Sequence, residues 1–269
     1  MCTVVILRRP GQAWPLILAG NRDEMTDRAW RPPDAHWPDR PDAVAGIDLL
    51  AGGTWLGMNR YGVVAGVLNR RNSLGPVPGT RSRGELPLEA LDHASAGDAA
   101  AALGRLEPLS YRSFNIVIAD ADQAFWLSSR RGEEGVPPDE GIRVLPLPTG
   151  LSMLTASDLN DSLTSARIRH YLPRFRAAAP PDPDKDDWTA WQALLASRDQ
   201  SGEAAMTIVT DTGFGTVCSS IVALPRRFTG KTPIWLFCPG RPDLVPFAPV
   251  PLWGRKKPEP PLSREGNML

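Results

Sequence analysis

The sequence predicts an α+β fold of antiparallel sheets with helices segregated onto their outer faces, and three observations carry that prediction. Strand-like and helix-like segments come in runs, in the order strands, helices, strands, helices, strands, rather than in strict alternation. Turn signals such as Pro10-Gly11 and Asn59-Arg60-Tyr61-Gly62 join neighbouring apolar runs directly, as hairpins do. No repeat of fixed period interrupts the pattern, and 269 residues, 42% of them hydrophobic, suffice for a sizeable core. We assign residues 1–255 to one domain and 256–269 to a loose C-terminal tail.

The elements follow in chain order. TVVILRR and AWPLILAG flank the Pro-Gly turn as a first hairpin, with Asn21-Arg22-Asp23-Glu24 where its second strand ends. Residues 27–43 are crowded with proline and tryptophan, show no period and read as an irregular loop whose tryptophans either pin it down or line a substrate entrance. A second hairpin, GTWLGMNRYGVVAGVLN, carries small residues at 62, 65 and 66 that leave room for another layer. Ser82 and Glu85, three apart, form a capping-box signature that opens a helix through LPLEALDHAS and accounts for Arg83 and Glu85 without catalysis. An alanine-rich helix spans about 97–106. Strands are expected at SFNIVIAD, QAFWLSS, GIRVLPL and GLSMLTA. Helices return in TSARIRHYLPRF, limited by Pro173, and in DDWTAWQALLAS behind aspartate caps, joined by the acidic linker APPDPDKDD. AMTIVTD, TVCSSIVAL and TPIWLFC complete the strands.

Composition excludes several classes of function. Thirty basic and thirty acidic side chains cancel, so no long-range field draws the chain to nucleic acid or to an anionic membrane surface. Cys2, Cys218 and Cys238 are too few and too scattered for a disulfide framework, and the last two read as core residues. His36, His93 and His170 lack metal-ligand spacing, so no metal is expected. No apolar run reaches the roughly 20 residues that span a bilayer, and the first residues lack the layout of a signal peptide. The expected location is the cytoplasm, with TVVIL retained.

Cys2 directly follows the initiator methionine. If Met1 is trimmed, one residue carries a nucleophilic sulfur and a free α-amine, whose pKa of about 8 suits it as base for its own thiol. Such a nucleophile needs nearby charge, an oxyanion donor and a pocket. Arg22 and Asp23 could supply the first and Asn69, at the end of VVAGVLN, the second. Taken singly, each has a plainer reading: Cys2 as a small core residue, the Arg-Asp pair as a strand-end ion pair, Asn69 as a turn residue.

In combination, MCTVVIL, LILAGNRDE, GGTWLGMNRYGVVAGVLN and SRGELP resemble the NRDE family of proteins like transport and Golgi organisation protein two, named for its Asn-Arg-Asp-Glu motif. The resemblance continues more faintly through FNIVIAD, GLSMLTASDLND and GFGTVCSSIVALP. It implies an N-terminal-nucleophile hydrolase-like fold, a four-layer αββα sandwich of two antiparallel sheets between helical layers. The opening and the second hairpin are also similar to the penicillin V acylase and bile-salt hydrolase group. That similarity implies Cys2 as nucleophile, Asn69 as oxyanion donor and Arg22 with Asp23 as the charged pair beside the amine. Two positions depart from the family pattern: Met153 stands where many relatives have asparagine, which leaves Asn160 as candidate second asparagine, and Val217 stands where relatives have arginine. The activity implied is cleavage of a C–N amide bond, or acyl transfer, through a Cys2 thioester on a small-molecule substrate, without a cofactor. The rival is a binding or trafficking protein that kept the scaffold and handles lipid or haem.

Overall fold

The computed structural model describes residues 2–75, 77–137 and 140–253. Thirteen strands and four α-helices occur among them. The N-terminal half contributes β1 (Thr3–Arg8), β2 (Leu16–Met25), β3 (Trp30–Asp34), β4 (Ala43–Asp48), β5 (Leu56–Asn59) and β6 (Val64–Asn69), then α1 (Glu85–Leu91) and α2 (Ala96–Leu103). After these come β7 (Phe114–Ala119), β8 (Ala124–Ser129), β9 (Arg143–Pro146) and β10 (Gly150–Leu154), then α3 (Ala166–Ala177) and α4 (Thr189–Leu195). β11 (Phe214–Leu224), β12 (Ile234–Cys238) and β13 (Ala248–Pro249) close the described chain. The tail expected at 256–269 lies outside the described residues.

The strands form two sheets in which every pairing is antiparallel, ordered β10-β1-β2-β11-β12-β13 and β3-β4-β5-β6-β7-β8-β9. Period-2 alternation sorts their side chains into three apolar layers. Even-numbered residues of β1 and β2, such as Val4, Ile6, Leu16 and Leu18, meet Met58, Val64 and Val117 of the second sheet between the two sheets. Odd-numbered ones, Val5, Leu7, Ile17 and Ala19, meet Ile168, Phe175 and Trp191 of α3 and α4. On the far side, Ile116 and Ile118 of β7 meet Leu86 and Leu91 of α1 and Ala99 and Leu103 of α2. The order is helix, sheet, sheet, helix: an αββα sandwich, as expected.

Several local expectations change. The Asn-Arg-Asp-Glu cluster lies inside β2, which runs on to Met25, because Asp23 and Arg22 find partners on β11. The loop expected over 27–43 contains β3, an edge strand paired only with β4, where the prolines of WRPPD withhold no N–H that a second neighbour needs. Ser82 does not form a capping box: its Oγ accepts from the Gly84 N–H at 3.2 Å, and Glu85 pairs instead with Arg81 at 2.6 Å. α3 is not limited by Pro173 but passes through it to Ala177. Pro173 and Arg169, whose carbonyl it leaves without a helical partner, both face solvent, so water can satisfy that oxygen. AMTIVTD is not a strand. It makes a single bridge, Val209 to Gly215, because β11 bulges between Thr216 and Cys218 beside it and breaks the ladder.

Candidate active site

Cys2 stands one step beyond the Thr3–Asn21 pair of β1 and β2, which brings it opposite Arg22, and Arg22 is in turn paired with Cys218 of β11. Directly opposed residues share a face, so Cys2, Arg22 and Cys218 form a row on the inter-sheet side. All three line a cavity of about 30 Å³ whose remaining walls include Trp55, Gly66 and Leu68 of the facing sheet. The space admits a group of water or carbonyl size. Two strand spacings put Cys2 and Cys218 about 10 Å apart in Cα positions, beyond the roughly 7 Å reach of a disulfide. Both are free thiols.

The Arg22 side chain is buried at 6% exposure. Its Nη2 donates to Asp48 Oδ2 at 3.0 Å, while its guanidinium lies 4.4 Å from the centre of the Trp55 ring. Trp55 fits there because position 46 is glycine: a Cβ would meet the indole at 2.3 Å. Trp30 packs edge-on against Trp55 at 5.8 Å, so this tryptophan of the 27–43 segment buttresses the cavity wall. Arg28 shares Asp48, with its Nε donating to Oδ2 at 2.6 Å. Burial pushes the Asp48 carboxyl up, but the Arg28 hydrogen bond and further partners outweigh it and hold the group below the usual carboxylate range. The Nη1 of Arg22 is buried without a hydrogen-bond partner among the described residues.

Asp23 faces the other way. Alternation along β2 sends its side chain into the helical layer, where its Oδ2 accepts from Arg167 Nη1 at 2.9 Å and its Oδ1 from Thr216 Oγ1 at 2.7 Å. Arg167 Nη1 also donates to Thr3 Oγ1 at 2.6 Å, so one α3 guanidinium ties β1 to β2. The β11 bulge reverses that strand's alternation, which puts Thr216 on Asp23's face while Cys218 stays on Arg22's. Arg22 and Asp23 are therefore not a pair with each other. What Asp23 presents to Cys2 directly is its main chain: the thiol donates to the Asp23 carbonyl at 3.7 Å. Burial pushes the Cys2 thiol up and the Asp23 carboxylate adds to the shift, while Arg22 pulls against them. Burial pushes the Cys218 thiol up as well. Cys238 is a core residue whose thiol donates to the Val245 carbonyl at 3.1 Å.

Asn69 ends β6 and is half-buried; unlike the cavity-lining Leu68 before it, it stands opposite Phe114 on the helical side of its sheet, so the expected oxyanion donor does not line the cavity. Its amide makes no hydrogen bond among the described residues. Asn160 has a bracing role. With φ at 58°, it accepts from the Met153 N–H at 2.8 Å through Oδ1 and donates to Ser152 Oγ at 3.3 Å, locking the loop after β10 onto that strand. The structure thus gathers Cys2, Arg22 and Leu68 of β6 around one cavity, with Asp23 immediately behind it and Asn160 engaged on β10.

Sequence reasoning missed Arg167 and misread Arg83. Arg167 falls on the buried stripe of α3 with Ile168, Tyr171, Leu172 and Phe175, and a charged residue on an apolar helix face is a legible sign of a buried partner. Arg83 is no mere neighbour of a cap: its Nη1 donates to Ser73 O at 2.7 Å, Ser73 Oγ at 2.8 Å and Ser113 O at 3.0 Å. Among the described residues no group of three or more His, Cys, Asp or Glu could hold a metal ion. No helix among them is long and apolar enough to cross a membrane.

Comparison with known proteins places the chain. The family model described as Transport and Golgi organisation 2 matches residues 1–227. The Transport and Golgi organization 2 homolog of Mus musculus is 35% identical over 129 residues, which are 45% of this chain and 42% of that protein. The Bos taurus homolog is 34% identical over 134 residues, with the same coverage of 45% and 42%. The match thus spans less than half the length of these curated relatives. Among solved structures, the R18L variant of conjugated bile acid hydrolase from Clostridium perfringens aligns with a TM-score of 0.50 at 13% identity, over 88% of this chain and 89% of that one. Penicillin V acylase from Agrobacterium tumefaciens aligns with a TM-score of 0.49 at 14% identity, over 88% and 83%.

Proposed function

This chain belongs to the Transport and Golgi organisation 2 family, and we propose that its Cys2 site cleaves a C–N amide bond or transfers the acyl group. The observation that carries this reading is the juxtaposition of a nucleophilic sulfur and a buried guanidinium on one cavity between two sheets. Walls of Trp55, Leu68 and Leu18 keep bulk water from that sulfur, which strengthens any charge interaction formed there. The hydrolase and acylase activities in the names of the structural neighbours are theirs; amide cleavage comes to this chain only as part of the proposal.

The reaction begins once Met1 is removed. A raised thiol pKa leaves Cys2 protonated at neutral pH, so the sulfur needs a base, and the α-amine of the same residue accepts its proton. Sγ then bonds to the amide carbonyl carbon as the carbonyl π pair moves onto oxygen. A backbone N–H at the cavity donates to that oxyanion, while the Arg22 charge steadies the thiolate before attack. Collapse breaks the C–N bond, the ammonium proton goes to the leaving nitrogen, and a thioester remains. Water or an acceptor amine attacks it, with the α-amine again taking the proton. Asp23, held by Arg167 and Thr216, fixes the β2 main chain whose carbonyl the Cys2 thiol meets.

Intact-mass measurement and Cys2→Ala test the reading together. Active protein lacks Met1, an electrophile labels Cys2 ahead of Cys218 and Cys238, and the alanine variant stays folded while losing turnover on a panel of N-acyl amides. Retained Met1 in active material, or unchanged turnover in Cys2→Ala, refutes the mechanism. A folded protein without turnover or selective labelling leaves the binding or trafficking role.

A further inference from the structure

Arg83 lies close enough to Cys2 and Glu24 to interact with both through space, and no carboxylate pairs with it among the described residues. Two glycines bring Arg83 there. A Cβ at Gly53 would stand 2.5 Å from the carbonyl carbon of Gly84, and the Thr54 N–H donates to the Gly84 carbonyl at 2.9 Å. The main chain next to Arg83 is thereby pressed against the strand entry that leads into Trp55, a wall of the cavity. The acceptors that hold Arg83 are all neutral oxygens of Ser73 and Ser113, and all bind its Nη1. Its other edge, Nε and Nη2, makes no hydrogen bond, and no carboxylate lies within ion-pair distance of it, among the described residues.

The charges around it point the same way. Glu24, and Cys2 whenever it is ionised, act on Arg83 through space to favour its charge, while Arg112 opposes them. Glu24 is itself shared between Arg22 at 3.8 Å and Arg28 at 3.7 Å. Burial, with Arg112, pulls Arg83 down to about 10, which still leaves it a cation at neutral pH. Independently, Nη1 of Arg22, nine-tenths buried in the cavity, is a donor without an acceptor. A buried unpaired donor is costly, and a ligand oxygen satisfies it.

We propose that Arg83 is the anion anchor of this site, and that the substrate is a small amide bearing a carboxylate: the free guanidinium edge takes the carboxylate, and Arg22 Nη1 donates to an oxygen inside the cavity. A planar fork matches a carboxylate in a way that a single ammonium does not. The inference rests on the reading of Cys2 as the reactive group.

Alkylation of the full-length protein by iodoacetate and by iodoacetamide tests it without knowledge of the substrate. In both reactions the Cys2 sulfur bonds to the methylene carbon and iodide leaves; only the reagent's charge differs. Site-resolved mass spectrometry is expected to give Cys2 an iodoacetate-to-iodoacetamide rate ratio about tenfold above that of glutathione, the factor that one well-placed charge pair supplies. Arg83→Gln brings the ratio down to the glutathione value, and Arg83→Lys keeps part of the preference. In the unaltered protein, which needs no variant to fold, acetate slows labelling by iodoacetamide and acetamide does not. A ratio equal to that of glutathione, or protection by phosphate but not by acetate, overturns the carboxylate anchor while leaving Cys2 reactive. Failure of both reagents to label Cys2 in folded protein overturns the nucleophile reading and this inference with it.

Discussion

Asp23 and Arg167 show how much can rest on one side chain. The carboxylate is wholly buried and the guanidinium nearly so, 2.9 Å apart. Removing one partner of such a pair strands a charge in the interior and costs about 3–5 kcal/mol, whereas removing both costs far less. Arg167→Met is therefore expected to lower the urea-unfolding free energy by about that amount, and adding Asp23→Asn to restore part of it. A double variant no more stable than Arg167→Met would refute the coupling. The thiols differ in kind as well: Cys2, half-buried at a cavity, should react with iodoacetamide in the native state, whereas Cys218 should react only on unfolding, which a denaturant titration of labelling checks. What was legible at this scale was local. Cys2, Arg22 and Asp23 belong to one hairpin, so their proximity follows from the turn; Arg167 lies 144 residues from Asp23, and only its place on an apolar helix face hinted at it.

Among the elements, those with strong periods came through, and those governed by tertiary neighbours did not. β7 and β11 are buried along almost their whole length and read as strands from their composition. β3 did not, because two prolines argue against a strand unless its edge position is known, and edge position is a property of the sheet. α3 passed Pro173 because the unpaired carbonyl faces water, again a fact about surroundings rather than propensity. The candidate site has the same dependence. Arg83, two residues before α1, is set beside the strand entry that leads into Trp55 only through the contact of Gly53 with Gly84. Gly53→Ala forces those main chains apart and is expected to cost about 1–3 kcal/mol by thermal or urea melts. It should also lower the iodoacetate preference of Cys2, although residue 53 touches neither reagent. A variant of native stability and native preference would show that the close approach does not set the position of Arg83.

At the scale of the molecule, three apolar layers carry two sheets and two helical layers, and the charged groups near the site sit in the seams between them. This links the site to global stability. Asp48, held below the usual carboxylate range among Arg28, Arg22 and the loop after β4, is more acidic folded than unfolded. Its contribution is therefore present above the unfolded value of about 4 and is lost as pH falls through the lower folded value. Denaturant melts from pH 5 to pH 2 should show stability falling with acid, and Asp48→Asn should flatten that fall while lowering the plateau. An equally steep decline in the variant would remove Asp48 from the account. The sandwich architecture was legible because runs of strands and helices determine layers; the assignment of Arg22 to one seam and Asp23 to another was not, since it depends on which face of β2 looks at which layer.

That division at β2 constrains how the gene can change. Inserting or deleting one codon between Leu16 and Arg22 would exchange the two faces, carrying a carboxylate into the gap beside the sulfur and a guanidinium into the packing of α3. Losses and gains of single residues should therefore be confined to the exposed turn from Pro10 to Ala13, where length can drift without trading the two charges. A library of single-residue insertions scored for soluble expression would map this as a tolerant turn followed by a sharp intolerant stretch.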